Sequence, residues 1–184
     1  MKYAAIKTCD IANGPGVRVS LFVSGCTHHC PECFNEVAWD FDYGEVFDRA
    51  VEDRLIEACR PDYVTGLTLL GGEPMEPENQ AALRPFIRRF REALPDKTVW
   101  CYSGYSWEQL TGSVPSRACC EGTAALLTMF DVLVDGRFVA ALHDITLRFR
   151  GSSNQRIISV PASLAAGEPL PWSDDPIFAT HQME

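Results

Sequence analysis

Cys26, Cys30 and Cys33 constrain this chain more than any other feature. They fall within eight residues, in the run Ser24-Gly25-Cys26-Thr27-His28-His29-Cys30-Pro31-Glu32-Cys33-Phe34-Asn35, with C-x3-C-x2-C spacing. The stretch before them alternates Val17, Val19, Leu21 and Val23 with Arg18, Ser20 and Phe22, the period of a strand. Three thiolates so close do not complete one tetrahedral ion alone. They can hold three corners of a cubic iron–sulfur cluster, a group normally bound by cysteine thiolates. One iron then lacks a protein ligand, just as a catalytic zinc keeps one position open. Two other readings use the same residues. One is a zinc site of the three cysteines with His28 or His29, in a non-enzymatic interaction domain. The other is a thioredoxin-like pair at Cys30-Pro31-Glu32-Cys33, which leaves Cys26 without a role.

A second motif stands at the end of a short apolar stretch. Gly66-Leu67-Thr68-Leu69-Leu70 reads as a covered parallel strand, and Gly71-Gly72-Glu73-Pro74 follows it. Two glycines let a ligand approach the backbone closely, and Glu73 supplies a carboxylate acceptor. With Phe34 directly after the third cysteine, the two motifs together resemble the radical S-adenosylmethionine (SAM) superfamily. The resemblance implies that Cys26, Cys30 and Cys33 hold a [4Fe-4S] cluster whose open iron chelates SAM. The cluster then donates an electron, and SAM breaks to a 5′-deoxyadenosyl radical. The resemblance further implies that the backbone around Glu32, Cys33 and Phe34 positions SAM together with Gly71, Gly72 and Glu73. A buried ammonium of SAM needs such acceptors, because leaving it unpaired is costly.

Four more stretches narrow the likeness. Asn13-Gly14-Pro15-Gly16, Ser103-Gly104-Tyr105 and Val134-Asp135-Gly136-Arg137-Phe138 resemble elements of the glycyl-radical-enzyme activases. Arg150-Gly151-Ser152-Ser153-Asn154-Gln155 is similar to an element near the end of the activating proteins of anaerobic (class III) ribonucleotide reductases. The likeness spans roughly residues 5 to 156. It implies hydrogen abstraction from a glycine of the reductase, which is both substrate and docking partner, and a small electron donor such as flavodoxin. Activases of other glycyl radical enzymes, such as pyruvate formate-lyase, are the alternative; they are not expected to carry the Arg-Gly-Ser-Ser-Asn-Gln run. Each stretch also has a plainer reading as a turn, a hairpin or a surface loop. Arg18 either lies near SAM or the partner, or has no part in the site. Asp135 either binds ribose hydroxyls or caps its turn.

The length of 184 residues suits one domain, with a core at 5–156 and an irregular tail at 157–184. Helices are expected at Gly44–Arg60, Pro77–Leu94, from Trp107 to Leu110, and at Ala124–Met129. The arginines of the second of these are read as a solvated outer face. Further strands are expected at Thr98–Tyr102, from Phe130, and at Ile157–Val160; residues 111–122 read as a loop without assigned function. This alternation gives an α/β chain with a mostly parallel sheet. About five strands are too few for a closed eight-stranded barrel of roughly 250 residues. The resemblance implies a partial, open (β/α) barrel of the radical SAM type.

A net charge of −9 and a pI near 4.9 argue against nucleic acid and anionic membranes as partners. No apolar run reaches the roughly 18 to 20 residues of a membrane span. The first residues lack the apolar core of a secretory signal, so a cytoplasmic location is expected. The eight cysteines are then not expected to form disulfides. Cys59 and Cys101 read as small buried hydrophobes, and Cys119-Cys120 as incidental.

Overall fold

The computed structural model describes residues 1–174. The part of the expected tail beyond them, with Pro176, lies outside the described residues. β1 (Lys2–Asp10) and β2 (Val17–Val23) form an antiparallel pair across the Gly14-Pro15-Gly16 turn. Then come β3 (Glu45–Val46), α1 (Arg49–Cys59), β4 (Val64–Gly71), α2 (Pro77–Ala93), β5 (Thr98–Ser103) and α3 (Trp107–Leu110). α4 (Thr123–Leu127), β6 (Val132–Asp135), β7 (Arg156–Ser159) and α5 (Val160–Ala166) follow. The seven strands form one open sheet in the order β3-β1-β2-β4-β5-β6-β7. Its centre, β2-β4-β5-β6, is parallel as expected, but both margins are antiparallel. The sheet is therefore mixed, an open partial barrel with hairpin-like edges.

The period of two sorts the central strands into two faces. Val19, Leu21, Leu67, Leu69, Val99 and Leu133 meet Leu55 of α1 and Leu83, Phe86 and Phe90 of α2 in the main core. The concave face carries Arg18, Ser20, Thr68, Trp100, Tyr102 and Val134. Because β2 is covered on both faces, its alternation does not mean half exposure: Arg18 through Val23 are all buried.

Arg18 shows what that face requires. It is fully buried at the amino end of β2 and donates to Thr68 Oγ1 at 2.6 Å, Thr98 Oγ1 at 2.9 Å and the Leu67 carbonyl at 2.7 Å. The guanidinium lies over the Trp100 ring, 5.4 Å from its centre. Burial pulls its pKa down to about 10. Of its two readings, the structure supports the one without a part in the site. It knits three strands at the end of the sheet away from the cysteines.

Several local expectations are corrected. β1 was not foreseen, because Lys2, Lys7 and Thr8 blur its pattern. The helix expected from Gly44 starts only at Arg49. Glu45 and Val46 pair with β1 instead, and the Asp48 side chain accepts from Val51 N–H at 3.0 Å. The arginines of α2 are not merely a solvated face. Arg89 pairs with Glu52 and Asp53 of α1, and Arg91 with Asp131 and the Met129 carbonyl. The stretch after β7 is not irregular at its start. Pro161 occupies the first turn of α5, where its missing N–H costs nothing, and Gly167 ends that helix at φ +77°.

A candidate cluster and cofactor cleft

The carboxyl ends of β2 and β4 lie side by side, so the two sequence motifs that follow them meet. Backbone bonds stitch them together: Gly72 N–H donates to the Val23 carbonyl at 2.7 Å and Glu73 N–H to the Gly25 carbonyl at 2.8 Å. Gly72 has no room for a side chain, since a Cβ would stand 2.6 Å from the Gly25 oxygen. Gly71 sits at φ +112°, a conformation that glycine adopts without strain. The start of the cysteine loop is fixed from the other side, with Gly25 N–H on the Ala38 carbonyl and Cys26 N–H on the Trp39 carbonyl. The loop then curls through left-handed residues at His29 (φ 47°) and Glu32 (φ 59°).

All eight residues singled out in the sequence line one cleft of about 510 Å³: Cys26, Cys30, Glu32, Cys33, Phe34, Gly71, Gly72 and Glu73. That volume is of the size that holds a small molecule. Cys26 is buried, Cys30 and Cys33 are half-buried, and Phe34 stands exposed at the mouth. Burial pushes the Cys26 thiol up to about 12, against backbone N–H bonds from His28 and His29 that favour the thiolate. Bound iron would supply the missing positive charge and take the thiolate form. Among the described residues no group of three or more His, Cys, Asp or Glu is placed to hold a single ion. A cube asks for something different, one thiolate on each of three irons. The donor set and the cleft fit a cluster with space beside it.

Glu73 lies at the cleft floor, 1% exposed. Its Oε1 accepts from Ser103 Oγ and Met75 N–H, both at 2.8 Å. Its Oε2 accepts from Gly104 N–H at 2.6 Å and His28 Nε2–H at 3.1 Å. A carboxylate has about four acceptor positions, and protein donors use them all. Gly104 is tight for the same reason: a Cβ there would stand 2.5 Å from the His28 ring.

The far wall comes from the stretch between β6 and β7. Leu147, Phe149, Arg150, Gly151 and Gln155 line the cleft. The Gln155 side chain closes this loop on itself, accepting from Gly151 N–H at 2.9 Å and donating to the Gly136 carbonyl at 3.0 Å. Phe149 takes a left-handed φ of 58° and packs edge-on against Trp100, with centroids 5.5 Å apart. Asp135 does not line the cleft. It is buried, accepts from Trp107 N–H at 2.7 Å and pairs with Arg156, so its bonds go to the start of α3 and to β7, not to its own turn as the capping reading had it.

Phe138, the end of the Val134–Phe138 element, also faces the cleft, as do Trp39 and Tyr102, which sequence reading passed over. Sequence reading also passed over Glu76, a buried carboxylate behind the cysteine loop. No motif marked Trp39 or Glu76.

A three-cysteine loop and a glycine-rich turn on adjacent parallel strand ends define a single-cluster iron–sulfur domain of the radical SAM class. Comparisons agree: residues 12–158 match the family model described as a 4Fe-4S single cluster domain. The chain is 38% identical over 159 residues to the anaerobic ribonucleoside-triphosphate reductase-activating protein of Haemophilus influenzae, covering 85% of this chain and 97% of the relative. It is 39% identical to the protein of that name from Pasteurella multocida, over 85% of this chain and 96% of the relative. The protein of that name from Enterobacteria phage T4 is 34% identical, over 86% and 94%. The chain belongs to the family of anaerobic ribonucleoside-triphosphate reductase-activating proteins.

Proposed function

We infer that this chain is the radical SAM activase of an anaerobic ribonucleoside-triphosphate reductase. The observation that carries the reading is the meeting of the cysteine loop with Gly71, Gly72 and Glu73 around one cleft, in a chain whose relatives bear that name. When bound, the [4Fe-4S] cluster supplies the electron that cleaves SAM and so starts hydrogen abstraction from a glycine of the reductase.

The chain's own residues then have distinct tasks. Cys26, Cys30 and Cys33 are the thiolate ligands, with Cys26 deepest. The backbone at Gly71 and Gly72, kept bare of side chains, offers acceptors to an ammonium. Glu73 adds negative charge there while its four bonds hold the walls in register. Glu32, Cys33 and Phe34 form the opposite lip. Phe138 and Phe149 give the cleft an apolar side that excludes water, which strengthens every charge interaction inside.

The partners in this reading are the reductase and a small reductant such as flavodoxin, with no nucleic acid and no membrane. Among the described residues no helix is long and apolar enough to cross a bilayer. A cytoplasmic location and a single radical SAM domain complete the reading, the latter supported by one continuous sheet.

The test is anaerobic reconstitution with iron and sulfide, followed by SAM, dithionite and the reductase of the same organism. A glycyl radical signal in electron paramagnetic resonance (EPR), with 5′-deoxyadenosine as product, is the expected result. A colourless protein holding one zinc, or a radical formed only on pyruvate formate-lyase, would overturn it.

A further inference from the structure

We propose that Arg117, carried on the 111–122 loop, is a positioning residue for the cysteine loop and acts through the buried carboxylate of Glu76. This rests on the reading that Cys26, Cys30 and Cys33 are cluster ligands.

Glu76 occupies the position just before α2, where a side chain ordinarily accepts from the first N–H groups of its own helix. It makes no such bond. Fully buried, it turns instead to the cysteine loop. Its Oε1 accepts from Thr27 N–H at 2.9 Å, from the Thr27 hydroxyl at 2.6 Å and from the Tyr105 hydroxyl at 3.3 Å. Thr27 directly follows Cys26, so these bonds clamp the peptide beside the deepest ligand.

The other oxygen, Oε2, is buried and accepts no hydrogen bond. Its compensation is the charge of Arg117, whose Nη1 stands 3.1 Å away. A buried carboxylate without such a partner is strongly disfavoured. Arg117 also reaches outward to Glu78 Oε1 at 3.1 Å. The loop that carries it is itself pinned. Ala118 is buried, and its carbonyl accepts from Gln80 Nε2 at 2.8 Å and Thr123 Oγ1 at 2.9 Å. A segment with the composition of a spacer thus delivers one cation to one buried acid behind the cluster loop.

Removing the cation leaves the Glu76 charge uncompensated, and the carboxylate must turn toward water or other donors. Thr27 then loses its clamp. A displacement on the order of 1 Å near reacting groups can cost up to ~100-fold in rate.

The experiment compares wild type, Arg117→Met, Arg117→Lys and Glu78→Gln as full-length chains. Amide hydrogen exchange is read on the metal-free protein, and EPR of the reduced cluster with SAM on the reconstituted one. In Arg117→Met the Thr27 amide is expected to exchange about 10-fold faster while amides of β4 and β5 keep their protection. The EPR line shape is expected to change, and kcat for SAM cleavage to fall about 10-fold. Arg117→Lys restores most of both, and Glu78→Gln matches wild type. If Arg117→Met leaves Thr27 exchange and the EPR signal unaltered, the proposal is overturned, even if thermal stability drops. Should wild type itself accept no cluster, the ligand reading fails instead; the exchange experiment on the metal-free chain still decides the Arg117–Glu76–Thr27 link.

Discussion

His28 Nε2–H donates to the Glu73 carboxylate at 3.1 Å, which ties the middle of the cysteine loop to the end of β4. The same carboxylate fixes Ser103 and Gly104 at the end of β5. Three strand ends are thus held in register by one buried acid, and the walls of the cleft depend on it.

Glu73→Gln keeps the shape but puts an N–H2 group where donors already point. One backbone donor, Met75 or Gly104 N–H, must lose its acceptor, at a cost of about 1–3 kcal/mol for a buried donor left unpaired. The expected outcome is a lower urea midpoint and a higher KM for SAM, with iron content retained. Unchanged values for both would show that the acid neither holds the walls nor assists the ligand.

Alanine at Cys26, Cys30 or Cys33 is expected to abolish SAM cleavage, because each removes one ligand of the cube. Alanine at Cys59, Cys119 or Cys120 is expected to leave it. Cys59 is buried in the main core, and Cys119 and Cys120 are not among the residues that line the cleft. Iron and sulfide per chain, with 5′-deoxyadenosine formed, measure this. Loss of cleavage on replacing Cys119 would refute the ligand assignment.

Arg18→Met tests a structural role against a functional one. The variant removes a buried cation together with its bonds to the Thr68 and Thr98 hydroxyls and to the Leu67 carbonyl. Stability should fall by about 2–4 kcal/mol in denaturant, within the range for breaking a buried polar network. KM for SAM should stay as it is, since Arg18 does not line the cleft. A raised KM at unchanged stability would reverse the assignment.

Acid stability should carry the mark of Glu108. Its hydrogen bonds from Arg156 outweigh a small burial cost and hold its carboxyl at about 2, below the ordinary 4.5. A carboxyl with a depressed folded pKa contributes stability that is present above about 4.5 and is lost as pH falls toward 2. The side chains are 42% and 35% exposed, so water screens the pair and the contribution is held to ~1 kcal/mol or less. Glu108→Gln is expected to lie below wild type at pH 7 and to converge with it near pH 2 in urea titrations. Parallel curves across that range would rule the pair out.

The chemistry of this chain was legible before its shape. The cysteine spacing set the number of thiolates, and the apolar runs before Cys26 and Gly71 placed both motifs at strand ends. Parallel neighbours share a carboxyl edge, so two such motifs had to face one crevice. The stretch from Leu147 to Arg156 also stood out, and it proved to be the far wall. Other elements were not legible because no local period marks them. β1 and β3 owe their pairing to the sheet edge they complete, and α5 carries Pro161 in its first turn, inside a stretch that reads as an irregular tail.

What the sequence alone determined was therefore the three-cysteine loop, the glycine turn and the strand ends that present them, since these follow from short-range spacing and side-chain period. Tertiary structure alone decided which polar groups are buried together. Arg18 meets Thr98 across 80 positions, and Thr27 meets Glu76 across 49. Such pairs leave no repeating trace along the chain; they form because burying a charge or a hydroxyl demands a partner, wherever the fold happens to bring one.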